Sequence, residues 1–174
     1  NYYINLTRRP GHTQHHLRGD EIFEYLKSWL QNYHNEKFFA FVHFWDPHLP
    51  YNQPKPFNDF FPPKIDTPIE RLPNGTEYVP AWGEVSCLTP KVLKSIAAYD
   101  GEIRFVDECI GKLMKVLDNL HLSDKTLVVL TGDHGESMVE HNILFDHFEL
   151  YDQTTHVPLI FHRPNISKNK VIDS

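Results

Sequence analysis

The feature that most constrains the fold is a long apolar stripe followed closely by a short, mainly apolar run. The stripe repeats at alternating steps of three and four residues, which predicts a long amphipathic helix through Ile96, Tyr99, Ile103, Val106, Ile110, Leu113, Leu117 and Leu120. Thr89 and Pro90 supply a capping hydroxyl and a first-turn proline for its start. The run at 126–131 has strand length, and a strand that is apolar on both faces belongs inside a covered sheet. A helix packed on a sheet is therefore favoured over a coiled coil.

The same pattern continues on both sides of these two elements. A helix is predicted from Asp20, which can cap it, to Tyr33, and the apolar runs at 38–44 and 157–161 have strand length. Strand, crossover helix and strand in this order predict an α/β fold with a mostly parallel central sheet flanked by helices. Residues 45–89 are rich in Pro, Asn and aromatic residues and are predicted to be an irregular excursion, a possible substrate-specificity loop.

Composition and charge exclude several classes of function. A chain of 174 residues can form one domain with a hydrophobic core, and a net charge of −6 without a basic run argues against a nucleic-acid partner. No apolar run is long enough to form a membrane segment. The two cysteines, Cys87 and Cys109, suit neither a disulfide framework nor a zinc site.

Polar clusters follow two of the predicted strands at the point where each strand ends. Strand 38–44 leads into WDPH (45–48), and strand 126–131 leads into GDHGE (132–136). Functional sites in parallel α/β sheets form just beyond the carboxyl ends of the strands. We therefore expect His48 to lie near Asp133 and His134.

Each of these residues has a functional and a plainer interpretation. Asp133 and His134 are adjacent oxygen and nitrogen donors, and they could ligate one divalent ion if other segments completed its shell. Alternatively, Asp133 only caps a turn. His48 lies between two prolines, so it could be held against an anion or a leaving group, or it could be a half-buried histidine bonded to a carbonyl.

The other histidines of this region have different expected roles. His147 follows Asp146, whose carboxylate could orient the imidazole ring. His141 lies in a segment that is expected to be an exposed loop. His156 immediately precedes a predicted buried strand and is expected to be structural.

Together and in this order, the segments resemble the type I sulfatase family (arylsulfatase-like) of the alkaline phosphatase superfamily. FFAFVHFWDPHLPY (38–51) is similar to the family's strand and DPHxPY segment. Residues 97–136 resemble its long helix, strand and metal loop, and LYDQTTHVPLIFHRP (150–164) resembles its next strand. The matching segments span most of the chain.

The resemblance implies a sulfuric ester hydrolase. In this family a formylglycine, made from a cysteine or serine, attacks sulfur, and a divalent ion, usually calcium, binds the sulfate oxygens. Carried over by position, Asp133 and His134 are metal ligands, and His48 contacts sulfate and helps to protonate the leaving oxygen. His147 stands where many members have a sulfate-binding lysine, and its charge depends on pH.

Some parts of the family pattern have no match in the sequence. The formylglycine motif, Cys or Ser-x-Pro-x-Arg, fits neither Cys87-Leu-Thr-Pro-Lys91 nor the residues after Cys109, and the early metal-binding aspartate pair is not found. Residues 1–174 are therefore expected to be the central part of a sulfatase catalytic domain. The formylglycine is expected upstream and a small subdomain downstream, so the isolated chain is expected to be inactive.

Other functions stay open beside the sulfatase. One is a phosphonate or phosphate ester hydrolase of the same superfamily, another is a catalytically inactive binding domain, and a third is a plain α/β module with a solvated acidic-histidine loop. The expected partner is a sulfated small molecule or glycan substrate. The family resemblance also implies an extracytoplasmic location: secreted, lysosomal or periplasmic.

Overall fold

The computed structural model describes residues 16–61, 70–75, 77–79, 83–84 and 89–164. Its helices and strands in chain order are α1 (Gly19–Tyr33), β1 (Glu70–Arg71), β2 (Glu77–Val79), β3 (Gly83–Glu84), α2 (Pro90–Asn119), β4 (Val128–Thr131), α3 (Asp152–Thr155) and β5 (Leu159–His162). Short 3-10 turns lie at Phe57–Asp59 and Glu140–Asn142. The chain divides into two compact units, residues 1–69 with 87–116 and residues 70–86 with 117–174.

The first unit is built on α1 and most of α2. Its core is formed by Phe23, Phe57, Phe105 and Cys109, with Phe44, Leu113 and Val116 packed against it. The predicted helix at 20–33 is confirmed, but Asp20 lies in its first turn and is not its cap. Two other carboxylates accept N–H groups at the start of the helix: Glu21 Oε2 accepts the Arg18 N–H at 3.1 Å and Asp46 Oδ2 accepts the Gly19 N–H at 2.9 Å.

Helix α2 begins where the sequence predicts, because Thr89 Oγ1 accepts the Val92 N–H at 3.3 Å and Pro90 is the first helical residue. Its buried face is rotated away from the centre of the apolar stripe. Ile103 is 47% exposed, whereas the neighbouring Glu102 is 1% exposed. The segment that follows His48 packs onto the helix at Gly101 and Glu102, and this contact sets which side is covered.

The predicted strand at 38–44 is not found, since no hydrogen-bonded strand forms there. Phe39 is 88% exposed and Phe41 is 82% exposed. A strand is stable only when its backbone groups pair with a neighbour, and no described strand pairs with this run. Its apolar composition is that of a buried strand, but it has no strand partner among the described residues.

The second unit confirms the strands predicted at 126–131 and 157–161, as β4 and β5. They pair antiparallel, with Val128 opposite His162 and Thr131 opposite Leu159, so the mostly parallel sheet is not confirmed. The chain between them contains one turn of 3-10 helix and the four-residue α3 in place of the long crossover helix that a parallel return needs. Within 45–89, β1, β2 and β3 form a small antiparallel sheet.

Candidate active site

The loop after β4 places Asp133 and His134 at the end of a strand, as the sequence predicts. Asp133 Oδ1 accepts the His134 N–H at 3.0 Å, which holds the turn. The His134 Nδ1 lies 2.8 Å from the Gly135 carbonyl oxygen, so the neutral ring carries its proton on Nδ1 and donates it there. The His134 Nε2 is then a lone-pair donor, 3.8 Å from Asp133 Oδ2.

The structure brings His147 to this loop. The imidazole rings of His134 and His147 stack, with centroids 4.0 Å apart and planes inclined by 20°. Asp146 Oδ1 accepts the His147 backbone N–H at 2.8 Å, and orientation of the ring by Asp146 stays a prediction. The His147 Nδ1 faces Glu136 Oε1 at 3.7 Å, an ion pair when the ring is protonated.

Glu136 is the site residue that sequence reasoning missed. Its side chain is only 9% exposed, and it lies on the same loop as the two proposed ligands. Its position only three residues after Asp133 could have indicated from the sequence that it belongs to the site. The contact with His147 joins residues that are eleven apart in sequence, and no local pattern reports such a contact.

Backbone and side-chain hydrogen bonds hold the two loops of this site together. Ser137 and Asp146 exchange backbone hydrogen bonds of 3.0 and 3.2 Å, which places His147 beside the loop after β4. The fully buried Ser137 also donates its Oγ–H to Glu149 Oε1 at 2.7 Å. Gly135 N–H donates to the Thr154 carbonyl at 2.8 Å and fixes the other end of the loop.

Replacing Gly135 by alanine should destabilise the full-length protein, because a Cβ at this position would lie 2.0 Å from the Gln153 carbonyl oxygen. Backbone has to move to relieve this overlap, so we expect a loss of about 1–3 kcal/mol in thermal unfolding. Gly111→Ala on α2 is the matched control, since its Cβ meets nothing within 4 Å. It should be neutral or stabilising, by up to about 1 kcal/mol. Equal melting temperatures for the two variants would contradict the prediction.

His48 lies in the first unit, in the segment that follows residues 38–44. Its ring is half-buried and packs against Trp45, with ring centroids 4.5 Å apart. The His48 Nδ1 lies 2.7 Å from the Leu49 carbonyl oxygen, so Nδ1 donates and Nε2 is the nitrogen that gains and loses the second proton. Asp133, His134 and His147 belong to the second unit, and the expected neighbourhood of His48 with them stays a prediction.

Two other histidines of the segment between β4 and β5 do not belong to the group formed by Asp133, His134 and His147. The exposed His141 stacks on Tyr151, with ring centroids 3.8 Å apart, and has a positive φ of 55°. His156 is exposed, and its backbone N–H donates to the Asp152 carbonyl oxygen at 2.9 Å.

Comparison with known proteins identifies the family to which the chain belongs. A family profile described as Sulfatase matches residues 3–174. The chain belongs to the sulfatase family.

Relatives of this sulfatase chain include human iduronate 2-sulfatase, which is 30% identical over 148 residues and 73% of the chain. A sulfatase of Formosa agariphila is 29% identical over 161 residues and 86% of the chain. The chain spans only 26% and 31% of the lengths of these two proteins.

Solved structures show the same fold. A phosphonate monoester hydrolase from Silicibacter pomeroyi superposes on the chain with a TM-score of 0.69 and 23% identity, covering 91% of the chain and 36% of the hydrolase. The sulfatase chain therefore has the fold of the part of this hydrolase that it covers. None of the helices in the described residues has the length and apolarity needed to cross a membrane.

The residues of this sulfatase loop fit a divalent metal in their chemistry. The Nδ1–H of His134 donates to a backbone carbonyl, as it does in most metal-binding histidines, so Nε2 is the atom that would ligate an ion. Asp133 adds an oxygen donor with a 76% exposed side chain. Within the described ranges, no three His, Cys, Asp or Glu side chains converge on a point where they could hold an ion. The loop therefore offers part of a coordination shell.

Proposed function

We propose that this chain is the central part of the catalytic domain of a sulfuric ester hydrolase. The observation that carries the proposal is the pair formed by Asp133 Oδ2 and His134 Nε2, 3.8 Å apart, with the histidine tautomer already set for ligation. Donor atoms that bind one ion at about 2.0–2.5 Å lie within roughly 3–4 Å of each other, so this spacing suits a shared ion. Membership of the sulfatase family supports the same assignment.

Exposed apolar surface supports the proposal that the chain is part of a larger domain. In the first unit Phe39 and Phe41 are 88% and 82% exposed, and in the second unit Leu159 and Phe161 of β5 are 61% and 53% exposed. Isolated two-stranded pairs such as β4 and β5 are marginal in water without more strands. We propose that further strands complete a mostly parallel central sheet, with helices on both faces.

Asp133 and His134 would hold a divalent ion, which we propose to be calcium, and segments outside this chain would supply its remaining ligands. When bound, the ion supplies positive charge that stabilises the sulfate oxygens during the attack on sulfur. The attacking group in this proposal is a formylglycine outside the chain, because the chain has no Cys or Ser-x-Pro-x-Arg sequence.

His147 and His48 act on the substrate in this proposal. A ring N–H of His147 donates to a sulfate oxygen, and Glu136 at 3.7 Å would balance the imidazolium charge. His48 donates the proton on Nε2 to the oxygen of the departing alcohol, while its bond to the Leu49 carbonyl keeps the ring in place.

The proposed substrate is a sulfated small molecule or a glycan. Two relatives are named for uronic acid sulfates, iduronate 2-sulfatase and Delta 4,5-hexuronate-2-O-sulfatase, and a third is an ulvan-active sulfatase. Residues 45–89 are proposed to select among such substrates, because loops vary more than the elements that carry them. We also propose an extracytoplasmic location, secreted, lysosomal or periplasmic, because the chain belongs to the sulfatase family.

The test measures how fast the full-length protein hydrolyses esters of three classes. We expect 4-nitrophenyl sulfate to be hydrolysed with a kcat/KM that is orders of magnitude above those for 4-nitrophenyl phosphate and a phenylphosphonate ester. We also expect EDTA to abolish the reaction and calcium to restore it. A reversed preference would favour a phosphonate or phosphate ester hydrolase. The Silicibacter enzyme, which has the same fold, is a phosphonate monoester hydrolase. Hydrolysis of none of the three esters would favour an inactive binding domain.

A further inference from the structure

A buried carboxyl group on α2 has no part in the chemistry above. Glu102 is 1% exposed and lies in the first unit beneath the segment that carries His48. Its Oε1 accepts the Asn52 N–H at 2.7 Å. Its Oε2 is buried, and no hydrogen-bond donor in the described part of the chain reaches it. A carboxylate in this position would leave one oxygen of a buried charge without a hydrogen-bond donor, which is unfavourable in the interior.

The side chain of Asp46 resolves this difficulty. The carboxyl groups of Asp46 and Glu102 interact, and two carboxyl groups can share a hydrogen bond only if one of them holds a proton. Burial raises the pKa of Glu102 to about 7, and the Asp46 charge beside it adds to the shift. Burial also raises the pKa of Asp46, but two backbone N–H donors, one of them from Gly19, favour its anion. Glu102 is therefore the proton donor and Asp46 the acceptor.

This hydrogen-bonded pair fixes both ends of the turn that carries His48. Asp46 precedes His48 by two residues and Asn52 follows it by four, and both are bonded to Glu102. The next residue, Gln53, is 6% exposed and donates its amide N–H to the Ala98 carbonyl at 3.0 Å. Gly101 allows this close approach, because a Cβ there would lie 2.4 Å from Gln53 Nε2.

We propose that protonated Glu102 is a positioning residue for His48, holding the 47–51 turn on α2 through Asp46 and Asn52, and that ionisation of Glu102 loosens this turn. This inference rests on the proposed function, in which His48 is the acid. The charged and titratable groups around the pair are Arg18 and Asp20 at the start of α1 and the Cys109 thiol on α2. None of these three groups donates a hydrogen bond to Glu102.

The direction in which pH changes the stability follows from the raised pKa of Glu102. The pKa of Glu102 rises from 4.5 to about 7 on folding, so the folded protein keeps a proton that the unfolded chain releases. The stability that this proton provides is fully present below pH 4.5 and is lost as the pH rises through about 7. Above that pH, two anions face each other beneath the His48 turn.

Glu102→Gln in the full-length protein tests the proposal, because glutamine can donate to Asp46 and accept from Asn52 at every pH. We expect the ratio of kcat/KM for Glu102→Gln to that for wild type to rise about tenfold between pH 6 and pH 8, since about a tenth of Glu102 stays protonated one pH unit above its pKa. Glu102→Ala should lower kcat at both pH values, because it leaves Asp46 and Asn52 without their partner.

Glu108→Gln is the matched control, because Glu108 lies on the same helix in an exposed pair with Lys112. Its ratio to wild type should not change with pH. A ratio for Glu102→Gln that also stays flat from pH 6 to pH 8 would overturn the proposal.

A second measurement does not depend on activity. The melting temperature of wild type should fall relative to that of Glu102→Gln as the pH rises from 6 to 8. If the protein hydrolyses no ester and this difference still appears, the proposed function fails while the proton-sharing pair stands. If the protein is active and no difference appears, the pair fails and the function stands.

Discussion

Replacing Asp133 by asparagine should lower kcat/KM for the sulfate ester by at least about a hundredfold in the full-length protein, because a metal ligand loses its charge. The substitution keeps the oxygen that accepts the His134 N–H at 3.0 Å, so the turn should survive. The side chain is 76% exposed, so its exchange leaves the packing unchanged. Bound calcium, measured by elemental analysis after gel filtration, should fall with the activity.

Asp124→Asn is the control for this variant, because Asp124 is an exposed aspartate in the turn after α2. It should keep full activity and full metal content. A variant Asp133→Asn that keeps its calcium would show that Asp133 only closes the turn. Loss of activity with full metal content would place Asp133 on the substrate instead. Excess calcium should partly restore activity if weaker ion binding is the cause.

The parts of the fold that the sequence predicts are those set by local patterns. Helix α2 follows from its spacing of three and four and from Thr89 and Pro90, and β4 and β5 follow from short apolar runs. Pairing direction depends on the connection, and the 132–158 segment turned out to contain no long helix. The run at 38–44 has the composition of a buried strand, but composition does not supply the neighbour to which a strand must bond.

In the candidate site, too, only the residues set by local sequence patterns could be predicted. Asp133 and His134 are adjacent in sequence, so their strand-end position could be predicted. Glu136 meets His147 only because Ser137 and Asp146 pair across the loop, which is a tertiary contact. Glu102 was missed for a different reason. A carboxylate between the apolar positions of an amphipathic helix is normally expected to face solvent. Only the packing of the His48 segment shows that Glu102 is buried.

Replacing His48 by glutamine should slow a substrate with a poor leaving group far more than one with a good leaving group. Glutamine can still donate an N–H group but has no proton to transfer, so an alkyl sulfate should lose about 10²–10⁴ in kcat. The oxygen of 4-nitrophenyl sulfate departs as a stable anion and needs little protonation, so its kcat should fall much less. Steady-state rates for the two substrates, measured with the same preparation of protein, give the comparison.

His43→Gln is the matched control, since His43 is an exposed histidine in the same segment and its ring centroid lies 6.3 Å from that of Trp45. It should leave both substrates unaffected. Equal losses for the alkyl and the nitrophenyl sulfates in His48→Gln would show that His48 binds the sulfate group without protonating the alcohol, because a binding contact to sulfate is common to both esters. The proton-transfer role therefore depends on the difference between the two losses, and the size of either loss alone does not decide it.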